Sequence, residues 1–429
     1  MRFASADLLA KAGRRRWWVI GLALVVIAAV VAAFTLTRKP QTAVLPRPHP
    51  HVSQAATHSQ LATRLLSRLT DALSGDSRRA VVALAARHHG AADQLSAIYT
   101  NVQRLDIVGL SMRYVDDDAD ALSAARKKAL GGRAWVGQVD LRWRIDGYDQ
   151  NSSDMEVSLT LVETPHGARF ASARGAFGDA APLWLLQPVK VRHADRWLVM
   201  VAGTNKIRRF ATLAADAVAD VDKVLTGWRG SLVIEVPADE SELDRALGAS
   251  REQYADIAAV TTTVDGTMSS TAPVHIFVNP PVFDPLGPRG SRIVLSHEAT
   301  HVATNAVTTS MPTWLIEGFA DYVALDHVNL PVSVTGSEIL ARVRKDGPPS
   351  HLPNAHDFAT SNTALGASYE AAWLACRLLA QTYGEDELIR FYRMSARDSS
   401  TRQAFEKVFG TDKTSFTHAW QRYLAKLAQ

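Results

Sequence analysis

The sequence predicts an α+β protein in which one N-terminal hydrophobic helix precedes two folded units. Residues 17–37 contain no charged side chain, which is typical of a membrane-spanning helix. Residues 57–204 have the pattern of helices followed by alternating strands, and residues 205–429 are mainly helical with a small sheet. A chain of 429 residues is too long for one ordinary domain, so more than one unit is expected.

The composition is that of a globular protein with few special features. The formal net charge is +4 and both signs are spread along the chain, so nucleic-acid binding is not expected. Cys376 is the only cysteine, which excludes an intramolecular disulfide and a thiolate zinc site. It lies in an apolar run and is interpreted as a buried core thiol.

The N-terminal region predicts a single-pass membrane anchor. Residues 1–16 form a short tail that ends in three arginines, and the positive-inside rule places this tail in the cytoplasm. Residues 17–37 form the transmembrane helix, and the proline-rich residues 38–56 form a stalk. A cleaved signal peptide is the alternative, but the apolar run is longer than the usual signal core. In both cases the remaining chain lies outside the cytoplasm.

Residues 57–204 are predicted to form an accessory α+β domain. A leucine at every fourth position from Leu61 to Leu73 predicts an amphipathic helix, and residues 79–88 and 92–105 also have helical patterns. Alternating apolar residues predict strands at 139–145, 157–161 and 196–201. This element order resembles the NTF2-like cone, which implies a curved sheet wrapped around helices. Four tryptophans could line a pocket in such a cone or fill its core: Trp135, Trp143, Trp184 and Trp197.

Residues 205–429 are predicted to form a second domain. A helix is expected over 207–228, followed by a strand at 232–236. Ser241 is expected to cap a short helix that ends near residue 247. A further strand is expected at 274–278, where Asn-Pro-Pro ends it, and the rest of the chain has helical patterns.

The motif His-Glu-x-x-His at residues 297–301 predicts a metal site. Positions i and i+4 of a helix lie on one face, so His297 and His301 can direct a ring nitrogen at the same ion. Glu298 is rotated about 100° from His297, so it can act on a water at the metal without binding the metal itself. A catalytic zinc site also needs a third protein ligand.

The segment Trp-Leu-Ile-Glu-Gly-Phe-Ala-Asp-Tyr at residues 314–322 provides the context for that ligand. Together with the upstream motif it resembles the gluzincin (peptidase MA-like) zinc metallopeptidases, and this resemblance covers roughly residues 206–429. It implies a zincin domain in which Glu317 is the third zinc ligand. It also implies that Asp321, four residues further on, supports a ligating histidine and fixes the orientation of its ring. The strand at 274–278 would be the edge strand that pairs with substrate.

A looser match points to an oxyanion donor. Tyr-Glu-Ala-Ala at residues 369–372 resembles the Tyr-Glu-x-Gly/Ala segment of aminopeptidase-N-like enzymes, which implies that Tyr369 stabilises the tetrahedral intermediate. A structural tyrosine at a helix start is the alternative. Tyr322, His351 and His356 are lesser candidates for the same role.

These observations predict a membrane-anchored, extracytoplasmic zinc peptidase with a peptide or protein substrate. The segment Gly-Ala-Met-Glu-Asn, which captures a substrate amino terminus in aminopeptidases, does not precede the zinc helix, so an endopeptidase is the better hypothesis. One alternative is a non-catalytic surface scaffold with a ligand-binding accessory domain. Another is a zinc hydrolase that acts on substrates other than peptides.

Overall fold

The structure is a computed structural model that describes residues 57–429, except 89, 119–120, 174–178, 205, 251–252, 268, 360–361 and 399. The predicted tail, transmembrane helix and stalk (1–56) lie outside the described residues. Within the described ranges no helix has the length and hydropathy needed to span a bilayer. The chain is a mixed α+β protein with two sheets, as its sequence predicts.

The first sheet is antiparallel and is formed by four strands in the order β1-β2-β3-β4. Its strands are β1 (Ile107–Asp118), β2 (Ala134–Ile145), β3 (Ser153–Thr164) and β4 (Gly167–Ser172). The helices of this region are α1 (His58–Leu73), α2 (Arg78–Val82), α3 (Ala91–Arg104), α4 (Ala124–Ala129) and α5 (Leu183–Leu186). Helix α1 begins at a capping box between Thr57 and Gln60, and it buries the predicted leucine face.

The second sheet contains five strands in the order β5-β6-β7-β9-β8. They are β5 (Val189–Ala194), β6 (Trp197–Ala202), β7 (Leu232–Val236), β8 (Ala259–Thr263) and β9 (Val274–Val278). Strand β6 pairs in parallel with β7, so this sheet crosses the predicted domain boundary at residue 204. The division into two domains stays a prediction, since the chain on both sides of 204 contributes to one sheet.

The remaining elements are helical. The longer helices are α6 (Ile207–Val224), α7 (Glu240–Leu247), α9 (Gly287–Thr304), α10 (Thr313–Asp326), α12 (Ser337–Asp346), α13 (Leu365–Tyr383), α14 (Glu385–Asp398) and α16 (Lys413–Leu427). Short turns of helix are α8 (Pro280–Phe283), α11 (Val332–Thr335) and α15 (Thr401–Ala404), with 3₁₀ turns at Asp284–Leu286, Ala306–Thr308 and Ala355–Phe358 and a π turn at Phe405–Phe409.

The second sheet separates two hydrophobic cores, because alternate residues of a strand point to opposite faces. In β7, Ile234 and Val236 belong to the core that contains the C-terminal helices. Val233 faces the other core, which is shared with the first sheet. Trp143 and Trp184 are buried in that core with ring centroids 5.9 Å apart, which agrees with their interpretation as core residues.

A buried charged group, here called the bridging cluster, joins the two sheets. It consists of His275 on β9, Glu235 on β7 and Asp149 in the β2–β3 connection. His275 Nδ1 lies 2.8 Å from Glu235 Oε1, and His275 Nε2 lies 3.0 Å from Asp149 Oδ1. Asp149 also accepts a hydrogen bond from the backbone N–H of Ile145. The first sheet is therefore held to the second by ion pairs as well as by apolar contacts.

Three sequence expectations are wrong. The helix expected over residues 79–88 ends at Val82, and Ala85 instead forms a parallel bridge with Phe170. The cap of α7 is Asp239 rather than Ser241, because the Asp239 carboxylate accepts the N–H of Glu242. Strand β9 is not the edge of its sheet, since β8 pairs with it on the outer side.

Candidate metal centre

Helix α9 places the two motif histidines in the interior. Its N-terminal half packs into the core through Ile293, Val294 and Leu295, and it ends where Asn305 adopts a left-handed conformation with φ of 53°. His297 and His301 are both buried, and their Nε2 atoms lie 2.9 Å apart. Two imidazole nitrogens at this distance can share a proton or bind one ion.

Glu317 on helix α10 completes the group. Its Oε2 atom lies 3.2 Å from His297 Nε2 and 3.6 Å from His301 Nε2. An ion held at the usual zinc distances by tetrahedral N and O ligands requires those ligands to lie about 3.3 Å apart. Glu317 Oε1 and His301 Nδ1 are buried without a hydrogen-bond partner. His297, His301 and Glu317 thus form a buried group that could hold a metal ion.

Asp321 lies one helical turn after Glu317 and contacts the outer nitrogen of His297. The distance from Asp321 Oδ1 to His297 Nδ1 is 2.8 Å. Burial disfavours a charged imidazole, but the carboxylates of Asp321 and Glu317 together outweigh this effect and raise the pKa of His297 well above its ordinary value. The same contact leaves the Nε2 atom of His297 free to face Glu317 and His301.

Glu298 is also buried, and its carboxylate hydrogen-bonds to a residue of strand β8. Thr261 Oγ1 lies 2.7 Å from Glu298 Oε2 and 3.1 Å from the Glu298 backbone oxygen. Burial raises the pKa of Glu298 more than His297 and His301 lower it. The sequence does not predict this contact, because Ala-Val-Thr-Thr-Thr at 259–263 has no clear alternation of apolar and polar residues that would indicate a strand.

Two further contacts position the helices that carry the site. Asp220 on α6 accepts two hydrogen bonds from Arg292 and one from Ser296, the residue before His297. Gly318 lies against α13, where a Cβ atom would come within 2.4 Å of the Ala372 backbone oxygen. Only glycine permits this close approach of α10 to α13. Spacing along the sequence indicates neither contact.

Tyr369 on α13 is buried beside the histidines. Its ring centroid lies 6.2 Å from that of His297, and Phe358 packs edge-on against it. The other oxyanion candidates have different neighbours. The Tyr322 hydroxyl donates to Glu385, and His351 contacts the backbone oxygen of Leu352. His356 is exposed on the 3₁₀ turn at 355–358.

Comparison with known proteins gives no assignment for this site. No protein-family model matches the chain, and no curated protein matches it.

Proposed function

We propose that this chain is a zinc-dependent endopeptidase of the gluzincin type. The observation that carries the proposal is the convergence of three ligand atoms, two imidazole nitrogens and one carboxylate oxygen, on a common point. They come from the two motifs that resemble the gluzincin family. Two histidines and one glutamate form a known ligand set of catalytic zinc sites.

The residues of the chain have distinct proposed roles. His297, His301 and Glu317 hold the ion, and Asp321 orients the ring of His297. A bound zinc ion supplies Lewis acidity, which polarises a scissile carbonyl and acidifies the attacking water. Glu298 accepts the proton of that water and passes it to the leaving amine.

Tyr369 is the proposed oxyanion donor. Its place beside His297 supports this role, since a hydroxyl next to the ion can donate to the oxygen on which negative charge develops. The raised pKa of Glu298 supports its role as an acid and base, because a carboxyl group with a higher pKa is a stronger base.

The cellular setting follows from the sequence alone. We propose that residues 17–37 anchor the protein in the cell membrane, with residues 1–16 in the cytoplasm and the catalytic region outside it. The region 57–204 would act as an NTF2-like accessory domain beside the peptidase domain. The substrate is a peptide or protein.

The test uses the full-length chain purified in detergent and loaded with zinc. It is incubated with an unbiased peptide mixture, and the products are read by mass spectrometry. Internal cleavage by the wild type, reduced roughly 10²–10⁴-fold in Glu298→Gln, is the expected result for loss of a general base. Cleavage that survives unchanged in Glu298→Gln contradicts the proposed mechanism.

One observation favours the alternative of a non-catalytic scaffold. Glu298 and the three ligands are nearly inaccessible, with at most 4% of each residue exposed, so the described surface offers a substrate little access. A chain that binds one zinc ion and cleaves no peptide would support the scaffold. Parallel assays with non-peptide esters distinguish this scaffold from a zinc hydrolase that acts on substrates other than peptides.

A further inference from the structure

Strand β8 provides a side chain to the catalytic region that neither sequence motif includes. It is the outer strand of the second sheet, and Thr261 lies at its centre, in register with Ile276 of β9. From this position the Thr261 hydroxyl contacts the Glu298 carboxylate at 2.7 Å. Both residues are buried, so water does not compete for the contact.

The side chains of Thr261 and Glu298 have different hydrogen-bonding groups. A threonine hydroxyl has one proton to donate, and an ionised carboxylate can only accept. Within the described part of the chain, Thr261 is the only side chain that hydrogen-bonds the Glu298 carboxylate, and it does so at Oε2. One carboxylate oxygen is therefore held, while Oε1 has no protein partner among the described residues.

We propose that Thr261 is a positioning residue for Glu298. Its hydroxyl fixes Oε2 and so restricts rotation of the carboxylate, which leaves Oε1 to act on water and on the leaving group. This inference rests on the proposed peptidase function for its kinetic consequence, but the restraint on Glu298 is independent of it. A charge-assisted hydrogen bond in a buried site is strong enough to select one side-chain conformation.

The alternative is that the hydroxyl only stabilises the fold, since it also lies 3.1 Å from the Glu298 backbone oxygen. Thr263 is a matched control for this alternative. It lies two residues further along the same strand, so its side chain is on the same face. It is equally buried, and its hydroxyl donates to the backbone oxygen of Thr267, in the turn after β8.

The experiment compares Thr261→Val, Thr261→Ser and Thr263→Val in the full-length, zinc-loaded protein. In Thr261→Val we expect kcat to fall roughly 10- to 100-fold, which is the usual loss when a side chain that hydrogen-bonds a residue of a metal site is removed. The KM and the amount of bound zinc should stay unchanged. Thr261→Ser restores the hydroxyl and should restore kcat to within a few fold. Thr263→Val should keep the wild-type kcat. A Thr261→Val variant with wild-type kcat overturns the proposal.

A second readout does not need activity. Crystal structures of the wild type and Thr261→Val should differ in the position of the Glu298 carboxylate, which is expected to leave the wild-type rotamer. If the carboxylate does not move, the proposal for Thr261 is overturned, whether or not the wild type cleaves peptides. If the wild type cleaves no peptide, the proposed peptidase function fails, and the crystal structures still test the role of Thr261. If Thr261→Val does not fold, Thr261→Cys, with a weak donor of similar volume, takes its place in both measurements.

Discussion

Two buried histidine–carboxylate clusters among the described residues differ in how the ring nitrogens of their histidines are arranged. In the first, which we call the convergent cluster (His297, His301 and Glu317), two Nε2 atoms and one carboxylate oxygen face one point. In the bridging cluster, the single imidazole of His275 contacts one carboxylate through each nitrogen, on opposite sides of its ring. No common point exists there for an ion.

Residue types alone therefore do not define a metal site. Both clusters combine buried histidine with buried acids, and both raise a histidine pKa through an adjacent aspartate, Asp321 for His297 and Asp149 for His275. Each cluster leaves one carboxylate oxygen buried without a hydrogen-bond partner among the described residues, Glu317 Oε1 and Glu235 Oε2, so an unpaired oxygen does not distinguish them. In the convergent cluster the Nε2 atoms of two imidazoles face the same carboxylate. The bridging cluster uses both ring nitrogens in ion pairs, so its role is to hold two sheets together.

The largest expected effect is on metal affinity. Replacing Glu317 by Gln removes the only anionic ligand, and the zinc affinity should fall by more than the ~10–100-fold that loss of an outer-shell partner costs. Asp321→Asn should cause a loss within that range. Competition with a chelating dye measures both. His275→Gln is the control and should bind one zinc ion with wild-type affinity; a weakened affinity there would refute the distinction between the clusters.

The sequence predicted the members of the convergent cluster by two routes. His297 and His301 were expected from their spacing, which places them on one face of a helix. Glu317, with Asp321 as the support of a ligating histidine, was expected from the resemblance of residues 314–322 to the gluzincin segment. The strands at 232–236 and 274–278 were also predicted with their observed bounds, since short apolar runs ended by Gly or Pro are distinctive.

The bridging cluster and Thr261 could not be predicted, because their contacts depend on the tertiary fold. Asp149 and His275 are 126 residues apart, and they meet only because the β2–β3 connection packs on the second sheet. Thr261 and Glu298 are 37 residues apart and meet because β8, a strand without clear alternation, lies at the sheet edge. Periodicity indicates which face of an element is buried but not what it contacts.

The bridging cluster is expected to stabilise the folded protein to an extent that depends on pH. Burial lowers the pKa of His275, but Asp149 and Glu235 outweigh it and raise this pKa from 6.5 to about 9. Because the folded-state pKa is raised, the stabilisation is complete below about pH 6.5 and is lost as the pH rises through about 9. His275→Gln should therefore lower the free energy of unfolding by ~3–5 kcal/mol near pH 6, and by less near pH 10.

Denaturant unfolding of metal-free protein at several pH values measures this difference. A chelator removes any contribution from bound metal, and the difference between the wild type and His275→Gln removes the contribution of other titrating groups such as His297. His418→Gln, on the exposed side of α16, is the control and should not change stability at any pH. A wild-type advantage over His275→Gln that stays constant between about pH 6 and pH 10 would argue against a buried imidazolium.

We expect the smallest change in a variant that tests whether the close packing of α10 on α13 supports only the convergent cluster and not the bridging cluster. Gly318→Ala places a Cβ atom 2.4 Å from the Ala372 backbone oxygen, so α10 and α13 must separate, at a cost of ~1–3 kcal/mol for overpacking. Glu317 precedes Gly318, so zinc affinity should fall as well.

Gly227→Ala, where the added Cβ meets open space, is the matched control. The pH-dependent stability lost on His275→Gln should be the same in the Gly318→Ala protein as in the wild type, because the bridging cluster lies on the other face of the second sheet. If that loss changed together with zinc affinity, the two clusters would be coupled through the sheet rather than independent.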